Sequence, residues 1–296
     1  MKIIILSRKK TFYSTKKIIT TAKQKGHKVI FVDPMKCNVV LGKKGLAIYY
    51  KNRKMANVDL VLTRIGVTFK DYGLSVVRQF EMMGSKVINI SRGIHKSKDK
   101  MRCLQLLAME KIPVPRTVIT RELKNLVKAV DIVGGVPVIL KPLYGSQGMG
   151  VILAESIEAV ESIIETLWGL EQNILIQQYV SESKGKDIRA FVIGDQVVAS
   201  MRRIAKPNEF RSNIHRGGSG EKVELSENIR KIAVNAAKVM ELEIAGVDML
   251  ETSNGPLMME INSSPGFEAL EKVTGINIAE KIVDYAVSSA EKHLYV

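Results

Sequence analysis

Apolar positions along the chain recur with two periods, and the periods alternate in a regular order. Ile3-Ile4-Ile5-Leu6 is a short continuous apolar run, the mark of a buried strand. A helical pattern from about Ser14 to Gln24, closed by Gly26, separates it from a second strand at His27 to Val32. Val58 to Leu62 predicts another strand, Tyr72 to Met83 a helix ended by Gly84, and Lys86 to Ile90 one strand more. Strand-helix-strand order predicts a parallel sheet covered by helices. Residues 1–95 therefore read as a small open α/β domain. The loop after its first strand, Ser7-Arg8-Lys9-Lys10-Thr11, holds no glycine, which disfavours a dinucleotide-binding turn.

Beyond residue 95 the pattern turns to α+β, read as a central lobe over 96–176 and a C-terminal lobe over 177–296. Ser97 is the expected cap of a helix through Met101 to Glu110, with Asp99 in its first turn, and Pro113 and Pro115 mark a break. Val138 to Pro142 and Val151 to Leu153 are strands joined by Gly145-Ser146-Gln147-Gly148-Met149-Gly150. Three glycines in six positions let backbone amides approach an anion, and Lys141 ends the strand before them. A phosphate cradle and a plain glycine-rich hairpin turn fit this spacing equally; a P-loop does not, because Lys-Ser/Thr is missing after the last glycine. A helix over Ile157 to Leu167, a strand over Ile174 to Val180, and a hairpin turning at Gly194-Asp195 follow. Asp187 and Arg189 share one face of that hairpin, where Arg202 or Arg203 is placed to meet them. Phe210 to Gly220 is a basic, glycine-rich loop, suited to an anion or simply to a solvated surface. Helices are expected over Glu227 to Met240 and from about Ile278 to His293.

The most informative stretch is Gly246 to Asn262, two mostly apolar runs around the turn residues Thr252-Ser253-Asn254-Gly255-Pro256. A hairpin centred on Asn254 sets Asp248 opposite Glu260, with Asn262 on the same face and Val247, Met249, Met259 and Ile261 on the other. Opposed carboxylates repel unless a positive charge lies between them. Carboxylate and amide oxygens without Cys or His are a hard-ligand set suited to Mg²⁺ or Mn²⁺. A solvated acidic face on an ordinary hairpin is the competing reading.

Composition narrows the classes. With 296 residues, 46% of them hydrophobic, the chain can bury two or three cores, which excludes a disordered protein. Cys37 and Cys103 are the only cysteines and are not spaced as metal ligands; with no signal-peptide or membrane-spanning pattern, a reducing cytoplasm is expected. Lys and Arg outnumber Asp and Glu by 45 to 30, a net charge of +15 that attracts polyanions without choosing among them. The densest basic patches, Arg8-Lys9-Lys10 with Lys16-Lys17 and Lys51-Asn52-Arg53-Lys54, are short.

Taken in order, the lysine before the glycine-rich turn, the Asp/Arg hairpin and the Asp248, Glu260, Asn262 set resemble the ATP-grasp superfamily from about residue 97 to 290. The resemblance sharpens at Arg64-Ile65-Gly66, Arg78-Gln79-Phe80-Glu81, Gly84-Ser85, Ser97-Lys98-Asp99-Lys100, Asp187-Ile188-Arg189, Phe210-Arg211-Ser212-Asn213, His215-Arg216-Gly217-Gly218 and Ser264-Pro265-Gly266. These look like the RimK family, α-L-glutamate ligases that extend the C-terminus of a ribosomal small-subunit protein. The likeness implies an ATP-grasp fold with an N-terminal pre-ATP-grasp domain, ATP bound between two lobes, and two Mg²⁺ or Mn²⁺ ions. It implies that Lys100 and Lys141 contact phosphates, that Gly145, Ser146, Gln147 and Gly148 close over them, and that Gln178 and Tyr179 line the adenine. Asp187 would hold the ribose, Arg211, Ser212 and Asn213 would lie on the phosphate side, and Asp248, Glu260 and Asn262 would bind metal. Arg203, with Lys141, is the candidate for stabilising the transferred phosphoryl group. Gln178 departs from the glutamate common there, which leaves backbone contacts intact and puts a side-chain carboxylate role in doubt.

The resemblance further implies L-glutamate and an acidic protein tail as substrates, a capacity for poly-α-glutamate synthesis, a homotetramer, and no membrane or direct nucleic-acid contact. Two rivals remain: a ligase acting on a folate-like or deazaflavin cofactor or an amino-group carrier protein, and a non-catalytic basic protein that binds ribosomes or RNA. Against the latter, the metal set and Lys141 are intact and no aromatic-rich RNA motif is present.

Overall fold

The computed structural model describes residues 1–43, 45–66, 70–143, 145, 149–207, 209–212 and 217–294. The expected parallel sheet is present. Strands β1 (Lys2–Ser7), β2 (Lys28–Val32), β6 (Leu60–Arg64) and β7 (Lys86–Ile88) lie in the order β2-β1-β6-β7, and every pair is parallel. Helix α1 (Tyr13–Gln24) crosses between β1 and β2, and α2 (Lys70–Met82) between β6 and β7. Ile3 and Ile5 face one core with Ile18 and Ala22 of α1, while Ile4 and Leu6 face another with Val77 and Phe80 of α2. This two-sided burial explains why β1 is continuously apolar. An antiparallel meander, β3 (Cys37–Gly42), β4 (Gly45–Tyr50) and β5 (Arg53–Lys54), packs its Ile48 and Tyr50 into the second core.

Helices α3 (Ser91–Lys98) and α4 (Lys100–Met109) lead out of this domain. The expected Ser97 cap is corrected here. Ser97 lies inside α3, with its hydroxyl donating to the Ile94 carbonyl, and Asp99 caps α4 by accepting from the Arg102 amide at 3.0 Å. A carboxylate at that position also meets the positive end of the helix dipole.

The central lobe is an antiparallel sheet in the order β10-β9-β11-β8, built of β8 (Thr117–Ile119), β9 (Val138–Pro142), β10 (Ile152–Ala154) and β11 (Ile174–Gln178). Helices α5 (Leu126–Val133) and α6 (Ile157–Gly169) cover one face of it. The last lobe is a five-stranded sheet in the order β14-β13-β12-β15-β16. Its strands are β12 (Lys186–Ile193), β13 (Gln196–Ile204), β14 (Ser219–Lys222), β15 (Ile244–Leu250) and β16 (Leu257–Asn262), all antiparallel. One face, carrying Ile188, Ala190, Val247, Met249 and Met258, packs against α4 and α7 (Glu227–Val239). The other is divided along its length. Phe191, Ile193 and Met201 bury against Phe267 and α9 (Ile278–Leu294), whereas Asp187, Arg189, Arg203 and Asp248 give the remainder of that face its charge.

The first domain is docked firmly onto this last sheet. Asn89, after β7, donates to the carbonyls of Ile244 (2.7 Å) and Ser263 (2.9 Å) and accepts from the Ile244 amide (2.9 Å). Arg64 donates to the Pro265 carbonyl at 2.8 Å, and Tyr13 to Glu271 of α8 (Glu268–Thr274) at 2.7 Å. Gly93 of α3 touches the chain just past α7, where an added Cβ would collide with the Glu241 carbonyl and lie 2.9 Å from that of Met240. Among the described residues, no helix is long and apolar enough to cross a membrane.

Candidate active site

The hairpin expected around Asn254 forms, and Asp248 pairs with Glu260 in its ladder. One detail of the alternation does not hold. The register shifts between Asp248 and Met249, so Met249 pairs with Met258 and the extra residue on β16 is Met259. Met258 takes the core position, fully buried, and Met259 turns into the cleft beside Glu260. A bulge inserts one unpaired residue and so exchanges the faces beyond it.

Asp248 does not meet Glu260 with its own charge uncompensated. Arg189, opposite it on β12, donates Nε to Oδ1 at 2.7 Å and Nη2 to Oδ2 at 2.6 Å. Arg203 lies 3.0 Å from Oδ2, and it also grips Asp187, its partner across β12 and β13, at 2.6 and 2.5 Å. Arg202, the other candidate of that pair, points away to Glu221 and Glu251. Burial alone would raise the Asp248 carboxyl; Arg189 and Arg203 reverse this and hold it below the usual value. Glu260 differs, with no hydrogen-bond or ion-pair partner among the described residues. Burial, then Asp248 opposite, push its carboxyl up, against the pull of Lys100, Arg189 and Lys141.

Across the cleft stand the two lysines. Lys141, two residues along β9 from Ile139, donates to Gln177 Oε1 at 2.6 Å. Burial takes its ammonium down to about 8 and also lowers Lys100. Lys100, at the start of α4, reaches the carbonyls of Pro142 (3.3 Å) and Gly145 (3.2 Å). It is thereby tied to the end of β9 and to Gly145. The space between the lobes is a cleft of about 970 Å³, part of it open to solvent.

Of the residues singled out by sequence, Lys100, Lys141, Gly145, Gln178, Tyr179, Asp187, Arg203, Arg211, Ser212, Asp248 and Glu260 all line this cleft. Asn262 sits behind Asp248, its Nδ2 donating to Oδ2 at 3.3 Å. Ser146, Gln147, Gly148 and Asn213 lie outside the described residues. The Gln178 side chain accepts from the Arg116 amide at 3.3 Å, so an uncharged amide serves there without strain. β11 ends at Gln178, and Tyr179 and Val180 continue along the cleft wall. Arg211 is gripped by Glu209 at 2.9 Å. Sequence reasoning missed the apolar walls, Ile139, Val151, Leu250 and Met259. Ile139 was findable, since it shares a strand face with Lys141. Met259 was hidden by the bulge.

The arrangement has a definite electrostatic demand. Two largely desolvated ammonium groups face two carboxylates, one of them without a partner among the described residues, and an apolar slot runs alongside. A divalent cation would relieve the Asp248 and Glu260 repulsion, and a polyanion would relieve the lysines. Among the described residues no group of three His, Cys, Asp or Glu is arranged to hold a metal. A cation here would instead use two carboxylates, the Asn262 amide oxygen and oxygens from a ligand, a set that fits a hard ion carried in with phosphate.

Three lobes, a cleft floored by an antiparallel sheet, and lysines facing carboxylates across it define an ATP-grasp ligase. A model of the RimK-like ATP-grasp domain matches residues 97–286, and one of the RimK PreATP-grasp domain matches residues 1–94. The chain belongs to the RimK-like ATP-grasp family. It is 50% identical over 285 residues to a probable alpha-L-glutamate ligase of Rhodopirellula baltica, covering 96% of this chain and 70% of that protein. With a probable alpha-L-glutamate ligase 1 of Shewanella frigidimarina it shares 47%, covering 96% and 95%. Among solved structures, the ATP-grasp ligase PsnB complexed with minimal precursor, Mg and ADP superposes with a TM-score of 0.76 at 20% identity, covering 98% of each chain. The D-alanine–D-alanine ligase of Bacillus anthracis complexed with ATP gives 0.69 at 19%, covering 99% and 98%. At such identity the structures speak to the fold alone.

Proposed function

We propose that this ATP-dependent ligase adds L-glutamate to the C-terminus of an acidic protein tail, that of a ribosomal small-subunit protein, by way of an acyl phosphate. The observation that carries the reading is the opposition of Lys100 and Lys141 to Asp248 and Glu260 across one cleft. The near full-length likeness to probable glutamate ligases supports the amine substrate, and the net charge of +15 suits an acceptor that grows more acidic with each addition.

In the proposed reaction an acceptor carboxylate oxygen attacks the γ-phosphorus of ATP and ADP departs. The glutamate amine then attacks the acyl carbon, phosphate leaves, and the amine loses a proton as the amide forms. Lys141 and Lys100 hold the phosphates, over which Gly145, Ser146, Gln147 and Gly148 would close. Arg203 is fixed by two aspartates through Nε and Nη2. Its Nη1 has no partner among the described residues and is the donor assigned to the transferred phosphoryl oxygens, where charge develops. Ile139, Tyr179, Leu250 and Met259 flank the adenine, Asp187 lies on the ribose side, and Arg211 and Ser212, with Asn213, on the phosphate side. Asp248, Glu260 and Asn262 would hold Mg²⁺ or Mn²⁺, which neutralises triphosphate charge when bound.

The test is mass spectrometry of candidate acceptors incubated with the enzyme, ATP, Mg²⁺ and glutamate. Successive glutamyl increments on an acidic C-terminal tail are expected. Increments only on a folate-like or deazaflavin cofactor, or on a carrier protein, would reassign the acceptor.

A further inference from the structure

Lys9, Lys10, Lys16 and Lys17 form an exposed basic patch around the first turn of α1. None of the four has an acidic partner among the described residues, whereas Lys25, Lys86 and Lys96 each hold a glutamate. The turn itself adds to the charge. Its capping residue, Phe12, makes no side-chain cap, and no acidic residue stands in the first turn, so the positive helix end is uncompensated. Repulsion of this kind is tolerated on a surface, but its concentration at one point needs a reason.

The location supplies one. Arg64 ends β6 opposite Ser7, the last residue of β1, and donates to the Pro265 carbonyl three residues beyond Asn262. Tyr13 meets Phe267, five residues beyond Asn262, edge to face with centroids 6.1 Å apart. Five residues span at most about 18 Å, so Tyr13, in the midst of the patch, lies within about that reach, plus one ring contact, of the strand that carries Asn262. An extended peptide advances about 3.3 Å per residue, and about seven residues of tail would reach from the patch to the metal-binding strand. Resting on the glutamate-ligase reading above, we propose that Lys9, Lys10, Lys16 and Lys17 dock the acidic segment preceding the acceptor's C-terminus, holding the tail while its end is extended.

A nucleic acid is the lesser fit. Lys9 Nζ stands 5.9 Å from the Phe12 ring centroid and Lys17 Nζ 5.7 Å from that of Tyr13. The rings are already occupied by cations, whereas single-stranded nucleic acid is gripped by bases stacking on open aromatic faces. The other basic patch, Lys51, Arg53 and Lys54, is also exposed but sits on the β4 and β5 hairpin, and among the described residues no contact of this kind links it to the cleft. It is therefore the natural charge-matched control.

The experiment compares K9Q/K10Q/K16Q with K51Q/R53Q/K54Q in the full chain, reading the affinity for fluorescein-labelled hexa-α-L-glutamate by anisotropy and, separately, KM for ATP. The first variant should bind the peptide about tenfold more weakly, the scale of three exposed ion pairs, with KM for ATP unchanged; the control should match the parent. Equal weakening in both variants would reduce the effect to net charge and overturn the site. No weakening in either would also overturn it. A labelled hexanucleotide RNA that binds as tightly and loses affinity in the first variant would show a general polyanion surface instead. Because the peptide binds without reacting, a parent enzyme that binds it but transfers no glutamate would count against the ligase reading and leave the docking result standing.

Discussion

Arg189 and Asp248 face one another across β12 and β15 and share two hydrogen bonds, Nε to Oδ1 at 2.7 Å and Nη2 to Oδ2 at 2.6 Å. The carboxylate assigned to metal thus already carries a cation, so metal binding and folding stability compete for one group. Removing Arg189 by Arg189→Ala should destabilise the fold by about 3 kcal/mol, the cost of breaking a mostly buried pair, as read by urea unfolding. The same variant should gain more stability from added Mg²⁺ than the parent does, because the carboxylate is released to the ion. The Asp248 carboxyl is held low, so the stability it contributes is present above the ordinary carboxylate value and is lost as pH falls below it.

Glu260 gives the opposite sign. Its carboxyl is pushed up in the fold, so its ionisation works against folding as pH rises through the ordinary glutamate value and beyond. A divalent ion should cancel that penalty. Mg²⁺ at about a hundred times its dissociation constant should stabilise by about 2.7 kcal/mol, the gain in Tm being larger at pH 7 than at pH 5. Glu260→Gln should unfold at or above the parent's temperature in EDTA, lose the Mg²⁺ response and lose ligation. A retained Mg²⁺ response would reject the metal assignment.

Lys141 sets an upper pH limit on nucleotide capture. With its ammonium lowered to about 8 by burial, kcat/KM for ATP should fall as pH rises through that value, because the free enzyme loses the charge that meets the phosphates. The same burial costs stability below about pH 8 and relaxes as pH rises. Lys141→Met should bind a non-hydrolysable ATP analogue at least about tenfold more weakly, one buried charge contact, and lack that pH limb in titration calorimetry.

Gly93 holds the domains together by having no side chain. In Gly93→Ala the added Cβ meets the Glu241 carbonyl and lies 2.9 Å from that of Met240, and both are backbone atoms that cannot swing aside. A loss of about 1–3 kcal/mol by urea unfolding is expected, the range for overpacking. Gly84→Ala, by contrast, tests only a turn with positive φ and open space.

How much of this was legible in the sequence depended on the distance over which each feature is decided. β1, α1, α7 and the Asp248–Glu260 pairing are local, set by periodicity and by turn residues a few positions away. The bulge that sends Met259 into the cleft requires knowing that the strands shift by one residue, which alternation cannot reveal. The Arg189–Asp248 pair was not legible as such, because it depends on β12 lying beside β15, 59 residues apart in sequence. The meander β3 to β5 went unread, since Val40 and Leu41 are exposed and blur its polar face. Asp99 displaced Ser97 as the cap because α3 continues through the serine, its Ile94 buried beside Phe80 in the first domain, a long-range contact that local capping signals do not carry.

The most direct test of carboxylate activation in this cleft follows oxygen. An acceptor peptide ending in a glutamate whose α-carboxyl carries oxygen-18 is ligated with ATP, Mg²⁺ and L-glutamate, and the released phosphate is analysed by phosphorus NMR. Acyl phosphate chemistry transfers one labelled oxygen to phosphate for each amide formed, with ADP as the nucleotide product. Unlabelled phosphate accompanying the new amide, or AMP with label in pyrophosphate or in AMP itself, would contradict it.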